Sequence, residues 1–217
     1  MRGLMEKDLR LTLARKQTLL IFIVMAMIMG VTMDGSFLVG YLTMLGSIIA
    51  VGTISYDEFD NGFAFLMTLP FDRKTYVSEK YLFSLLMEAG SWCAGALIYC
   101  IGSLVRGSGV NPLGELPMLL SLIPVLFLSV SVFIPLQLKY GSEKSRVALF
   151  LVFGLMALLV FGAKQFMSGK EQTLAGLEAS LDALPPAVVL LILTAVCGIL
   201  SFVSYLCSVR IMEKKEF

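Results

Sequence analysis

The residues best suited to chemistry lie together in Ile54–Tyr81, whose sequence is ISYDEFDNGFAFLMTLPFDRKTYVSEKY. The segment begins with the acids Asp57, Glu58 and Asp60 and ends with several bases. Clustered carboxylates could hold a metal ion, but the segment contains no His or Cys. Acids also gather at helix N-termini, because they favour the positive end of the helix dipole. We therefore expect no metal site here.

Other catalytic sites are excluded by residue types that the chain lacks. It contains no His, which excludes HExxH zinc sites and histidine-based triads. No GxxxxGK[ST] phosphate loop occurs, so we expect the chain to bind no ATP by that device and no other cofactor. The chain is therefore predicted not to be an enzyme by itself.

The composition indicates that the elements holding these residues are membrane helices. Of the 217 residues, 58% are hydrophobic and 15% are charged, with a mean hydropathy of +0.87. A soluble domain has about 25% charged residues. Apolar stretches near the length that a bilayer requires, roughly 17–25 residues, occur at Gln17–Met33, Ser36–Ser55, Tyr81–Val105, Glu115–Leu138, Ser145–Phe166 and Pro185–Val209. We predict an all-α integral membrane protein with six spans, residues 1–217 forming one transmembrane domain.

The positions of the bases predict the orientation of these spans. If both termini lie on one side, only Arg106, Lys164 and Lys170 of the 17 Lys and Arg residues fall on the other side. The positive-inside rule then places both termini in the cytoplasm. Ile54–Tyr81 becomes a cytoplasmic loop between spans 2 and 3. No basic patch indicates nucleic acid binding.

Glu88 is the clear ionisable residue at membrane depth. It lies about two helical turns, roughly 10 Å, beyond the predicted cytoplasmic end of span 3 at Tyr81. It could face an internal cavity or a basic partner such as Lys139, as functional intramembrane acids do. Alternatively, it could reach toward the inner membrane interface. A single acid does not supply the paired groups that an intramembrane enzyme needs.

Residues 57–68 are predicted to form a short amphipathic helix in this loop. The spacing of Phe59, Phe63 and Leu66 places them on one helical face, and Pro70 terminates the helix. A helix on the membrane surface usually carries bases rather than acids on its polar face. We therefore interpret the segment as a protein-docking helix whose aromatic residues enter a groove on a cytoplasmic partner.

The sequence from Asp57 to Tyr81 resembles the first cytoplasmic loop of type 2 ABC transporter permeases. In that loop, acids and a Gly precede an LP-x-x-R-x-x-hydrophobic-V-x-x-K-Y run. Here the run consists of Leu69, Pro70, Arg73, Tyr76, Val77, Lys80 and Tyr81. The N-terminal LMEKDLRL, Leu4–Leu11, is similar to the amphipathic elbow helix that opens members of this family.

The resemblance implies a permease subunit of an ABC exporter in the bacterial plasma membrane. Two such chains, identical or related, would work with two separate ATP-binding subunits that hold ATP and Mg. Within the family, the chain looks most like exporters of phenol-soluble modulins and related amphipathic antimicrobial peptides. Similar permeases move lipids, drugs or bacteriocins. The rival from a different class is a membrane scaffold without transport activity.

The resemblance also implies roles for three segments: an elbow at 1–16, a coupling helix at 57–68, and an external helix within 167–184, between spans 5 and 6. The coupling helix would dock on the ATP-binding subunit. Its implied docking residues are Asp57, Glu58, Phe59, Asp60, Phe63, Leu66, Leu69, Pro70 and Arg73. On this hypothesis, Phe63→Ala should uncouple ATP hydrolysis from transport without unfolding the spans.

Overall fold

The described part of the chain is helical. The computed structural model describes residues 1–32, 35–59, 62–66, 68–106, 115–167 and 185–215. The helices are α1 (Arg2–Ala14), α2 (Lys16–Thr32), α3 (Gly35–Glu58), α4 (Gly62–Leu66), α5 (Arg73–Arg106), α6 (Leu116–Met167) and α7 (Pro186–Lys214). No strand occurs in these ranges, which confirms the all-helical prediction for them. The predicted external helix lies outside the described residues, apart from Met167 at the end of α6.

Among the described residues, four helices are long and apolar enough to cross a membrane. The candidate spans are Phe37–Glu58, Arg73–Ser103, Leu116–Ser145 and Pro186–Lys214, and α1 with α2 makes a fifth if this pair is one span bent by 68°. The chain is therefore a multi-pass membrane protein. Its sixth predicted span, Ser145–Phe166, falls in the later part of α6, and the total of six stays a prediction.

The N-terminal helix α1 lies against the bundle through one face. Its buried residues are Leu4, Asp8 and Thr12, which are four residues apart and so share a face. The bend to α2 follows Ala14. The structure thus has a short helix and a bend where the elbow was predicted at 1–16, while the role of α1 as an elbow remains a proposal.

The centre of the bundle is α3. In an apolar stretch of 18 residues of α3, 44% of the residues are buried, compared with 11% in the corresponding stretches of α5 and α7. It packs against α5 and α6, and α6 packs against α7. The main core cluster lies at the end of the bundle where α3 ends and α5 begins; it contains Leu4, Ile54, Phe63, Leu66, Tyr76, Val77, Tyr81, Val130, Ile134, Leu138, Val209 and Met212. Six helices contribute to it, so this end is where the elements are joined.

The close approach of α3 and α5 depends on glycine. A Cβ at Gly46 would overlap the Ser91 hydroxyl and lie 2.9 Å from the Met87 carbonyl oxygen, and a Cβ at Gly95 would lie 3.1 Å from Val39 Cα. Small residues at such crossings let membrane helices pack backbone to backbone. The two helices can therefore bring their polar ends into contact.

The long helix α6 is broken at Gly141, where φ is 78° and ψ is 170°. Residues with a side chain rarely adopt this conformation. The next residue, Ser142, donates its backbone N–H to Glu58 Oε2 at 2.6 Å. A carboxylate stabilises a helix N-terminus through the helix dipole. Glu58 thus fixes the start of the second half of α6 to the end of α3.

Gly141→Ala should destabilise the protein by about 1–3 kcal/mol, because of its backbone conformation and because a Cβ at this position would overlap the Glu58 carboxylate. The measurement is unfolding of the full chain by SDS in mixed micelles. The matched control is Gly198→Ala, since a Cβ there meets no atom within 4 Å. Equal unfolding midpoints for the two variants would contradict the predicted constraint at Gly141.

Candidate functional site

The acids Asp57 and Glu58 lie at the end of α3 and not at the start of a separate helix. The prediction that they stabilise the N-terminus of a helix over 57–68 is therefore wrong for both, and the helix that follows, α4, has five residues. Asp60 lies outside the described residues. The C-terminal end of a helix disfavours carboxylates, so other groups must compensate these two charges. For Glu58, one such group is the N–H of Ser142.

Asp57 is compensated in a buried ionic cluster formed by Lys7, Asp8, Asp57 and Lys80. The Lys80 ammonium contacts Asp8 and lies 2.7 Å from Asp57 Oδ2. The Lys7 ammonium contacts Asp57 and lies 3.1 Å from Asp8 Oδ1. The Lys80 side chain is 1% exposed and that of Asp8 is 0% exposed. The Lys7 side chain is 30% exposed, so the cluster joins α1, α3 and α5 through three charges almost wholly removed from water and a fourth that reaches the surface.

Neutral groups complete this cluster. The Tyr76 hydroxyl donates to Asp57 Oδ2 at 2.9 Å, and the Lys80 ammonium donates to Thr53 Oγ1 at 3.2 Å. Glu79 is also fully buried, with Oε2 3.8 Å from the Lys80 ammonium, and neither of its carboxylate oxygens has a hydrogen-bond partner among the described residues. Three acids thus surround two bases in this region.

The ionic cluster is suited to holding helices together rather than to catalysis. Burial of a charge is costly unless the charge is paired and hydrogen-bonded. Each of the two bases contacts both Asp8 and Asp57, so no base is left to act on a substrate. Among the described residues, no group of three His, Cys, Asp or Glu could hold a metal ion.

Phe63 and Leu66 of α4 face inward. Phe63 is 5% exposed, and its ring packs edge to face on Tyr76 with 5.7 Å between centroids. The Lys215 ammonium lies 4.8 Å from the centre of the same ring. Leu66 is 7% exposed and belongs to the core. Phe63 therefore packs α4 against the bundle, and the expectation that Phe63→Ala uncouples ATP hydrolysis from transport without unfolding the spans stays a prediction.

Phe59 and Phe65 face outward, with 72% and 69% of their surfaces exposed. The prediction that Phe59 shares a face with Phe63 and Leu66 is wrong, because Phe59 lies after the end of α3 and the other two lie in α4. Phe59 borders a cleft of about 320 Å³ that also includes Tyr140 and Lys144. We call Phe59, Phe65 and the exposed Leu69 and Pro70 the aromatic surface.

Arg73 makes hydrogen bonds within the bundle. Its guanidinium donates to the carbonyl oxygens of Met212 and Glu213 at 3.0 and 2.7 Å. These carbonyls belong to the last turn of α7, where a base is favoured by the helix dipole. The Lys215 ammonium in turn donates to the Leu138 carbonyl at 3.0 Å. The start of α5, the end of α7 and the middle of α6 are thereby connected.

Glu88 is fully buried between α5 and α3. The Ser47 hydroxyl donates to its Oε1 at 2.6 Å, and its Oε2 has no hydrogen-bond partner among the described residues. The alternative in which Glu88 reaches the inner interface is therefore wrong. The proposed partner Lys139 is also wrong, because Lys139 is exposed, with its ammonium 5.1 Å from the centre of the Tyr140 ring.

Sequence reasoning did not identify the pairing of Asp8 with Lys80, although it used both residues in the motifs of the elbow and the loop. The spacing of Leu4, Asp8 and Thr12 carries part of the signal, since it places an acid on an otherwise buried face. The spacing of Tyr76 and Lys80 likewise places a base on the buried face of α5. Neither pattern identifies the partner.

Comparisons with known proteins agree with a membrane transporter. Residues 3–213 match the sequence model of a family described as ABC-2 family transporter protein. The match covers nearly the whole chain and includes all seven described helices over most or all of their lengths. No curated protein and no solved structure matches the chain significantly.

Lys80→Met should destabilise the protein by about 3–5 kcal/mol, because it leaves two buried carboxylates with one base fewer. Unfolding of the full chain in SDS is the measurement. The control is Lys74→Met on the same helix, since Lys74 pairs with Glu213 at 3.5 Å and both side chains are largely exposed. An exposed pair contributes about 0–1 kcal/mol. Similar losses from both replacements would contradict a structural role for the ionic cluster.

Proposed function

The chain belongs to the ABC-2 family of transporter proteins, and we propose that it is the permease subunit of an ATP-driven exporter. In this proposal, six spans cross the bacterial plasma membrane with both termini in the cytoplasm. Two permease chains, identical or related, work with ATP-binding subunits that hold ATP and Mg. The family supports pairing with such a subunit in general, and the chain's lack of a phosphate loop requires ATP to be hydrolysed elsewhere.

The observation that carries the docking proposal is the pair of exposed aromatic residues, Phe59 and Phe65, at the charged end of the bundle. Buried aromatic residues dominate the binding energy of many protein interfaces. A protein partner at this end would cover both rings, together with Leu69 and the cleft beside Phe59. We assign this partner as the ATP-binding subunit, and α4 as the helix that couples it to the spans.

The contacts on the inner side of α4 support transmission of movement from the aromatic surface to the spans. Phe63 packs on Tyr76, and the Tyr76 hydroxyl donates a hydrogen bond to Asp57 in the ionic cluster. Any displacement of α4 toward the membrane therefore acts on α5 and α3 through packed and hydrogen-bonded groups. Arg73 extends the connection to α7. Closure of the ATP-binding subunits would move these helices as a unit.

The apolar groove between α2, α3 and α5 bears on the substrate. It has a volume of about 350 Å³ and is lined by apolar residues, among them Phe22, Met27, Leu45 and Ile98. Such a groove suits the apolar face of a helical peptide, so we propose export of amphipathic peptides of the phenol-soluble modulin or antimicrobial type. It would also accept an acyl chain, which makes lipid the second candidate substrate. An apolar groove would accept drugs and bacteriocins as well.

Phe65→Ala and Phe59→Ala should each abolish most of the stimulation of ATP hydrolysis by peptide while leaving the spans folded. An interface aromatic typically contributes about 2 kcal/mol or more, or roughly a 30-fold weaker docking. The measurement is the ATPase rate of the chain co-reconstituted with its ATP-binding subunit in nanodiscs, with and without an amphipathic helical peptide. Phe37→Ala is the control, because Phe37 is 53% exposed near the other end of α3.

Three results would be informative. Unchanged stimulation in both aromatic variants would contradict docking through this surface. A stable complex whose ATPase rate responds to lipids and not to peptides would make lipid the substrate, and the assignment as a transporter would stand. Failure of the wild-type chain to form any complex would favour a scaffold without transport activity.

A further inference from the structure

A basic pocket lies between α6 and α7 at the same end of the bundle. It has a volume of about 430 Å³ and is lined by four bases and two apolar residues, namely Lys139, Arg210, Lys214, Lys215, Leu138 and Ile211. Lys139 belongs to α6, and the other three bases belong to the end of α7 and the residue that follows it, far away in sequence. We refer to this feature as the basic pocket.

Three of the four bases of the basic pocket differ in their surroundings from the bases of the ionic cluster. Among the described residues, no carboxylate lies within ion-pair distance of Lys139, Arg210 or Lys214, whereas Lys7 and Lys80 each contact two or more carboxylates. The nearby Glu213 pairs with Lys74 instead. A helix C-terminus favours bases individually, but this does not explain why bases from two helices converge on one cavity. Convergent bases with open space between them indicate an anionic ligand.

The position of the pocket identifies the source of that anion. Lys139 and Arg210 lie within two turns of the ends of the candidate spans Leu116–Ser145 and Pro186–Lys214, which places the pocket at a membrane interface. From Arg210, an exposed apolar stripe runs back along α7 through Leu206, Val203 and Ile199, at spacings of three and four residues. A soluble anion would use the bases alone, whereas a lipid would use the bases and the stripe together.

We propose that the basic pocket binds the phosphate headgroup of an anionic membrane lipid, with the acyl chains lying along the α7 stripe. Basic pockets between membrane helices bind lipid headgroups in this way, and long basic side chains reach the interface while their stems stay apolar. The site also lies next to α4, because Lys215 contacts both the Leu138 carbonyl and the Phe63 ring. Lipid at this site would therefore stabilise the packing of α4 against the bundle.

The test titrates the full purified chain in neutral detergent with phosphatidylglycerol and measures bound lipid by native mass spectrometry. Arg210→Gln and Lys139→Gln should each weaken binding about fivefold, as expected for one base near a lipid phosphate. The matched control is Lys144→Gln, which removes an exposed base from a different cleft at the same end of the bundle and should bind as the wild type does. Circular dichroism confirms that each variant is folded.

Two further arms separate the sources of the anion. Phosphatidylcholine, which carries no net charge, and glycerol phosphate, which has no acyl chains, should both bind far less than phosphatidylglycerol. Equal binding of glycerol phosphate would overturn the lipid assignment. Equal binding of phosphatidylglycerol by Arg210→Gln, Lys139→Gln and Lys144→Gln would overturn the assignment of the basic pocket as the lipid site. If Arg210→Gln lost the ATP-binding subunit while its lipid binding was unchanged, the assignment would also be overturned, because the pocket would then bind an acidic protein surface.

Discussion

The buried ammonium of Lys80 is the interaction on which this end of the molecule depends. Its side chain is 1% exposed, so its charge requires partners from within the protein. Those partners are Asp8 of α1 and Asp57 of α3, which are far from each other and from Lys80 in sequence. Moving any one of the three helices away from the other two would break two of the ion pairs on which these charges depend. The ionic cluster therefore fixes α1, α3 and α5 in one arrangement.

Other features take their positions from this cluster. Because α3 is held to its last turn, Glu58 is available to accept from Ser142, and α6 bends at Gly141 to meet it. Because Tyr76 is held by Asp57, its ring presents a fixed surface on which Phe63 of α4 packs. The outward rings at positions 59 and 65 are thus displayed from a rigid base. In the proposed function, this arrangement would transmit a movement of the ATP-binding subunit to the membrane helices.

The sequence predicts the helices better than it predicts their polar contacts. Span lengths follow from the thickness of the bilayer, so hydropathy places α3, α5, the first half of α6 and α7 close to their observed positions. The end of α3 was predicted too early, because the apolar run stops at Ser55 while the helix continues to Glu58, stabilised by bases from other helices. Helical spacing likewise failed for Phe59, since Phe59 follows the end of α3 whereas Phe63 lies in α4. The pairing of Asp8 with Lys80 joins residues 72 positions apart, and no local pattern encodes it.

The proposed contact between the aromatic surface and the ATP-binding subunit can be tested by photo-crosslinking. A photo-reactive amino acid would replace Phe65 in one variant and Phe202, which is 61% exposed on α7, in another. Irradiation of membranes containing the assembled complex should join position 65 to the ATP-binding subunit and leave position 202 unlinked to it. A complex that assembles normally but gives no such product from position 65 would contradict the claim.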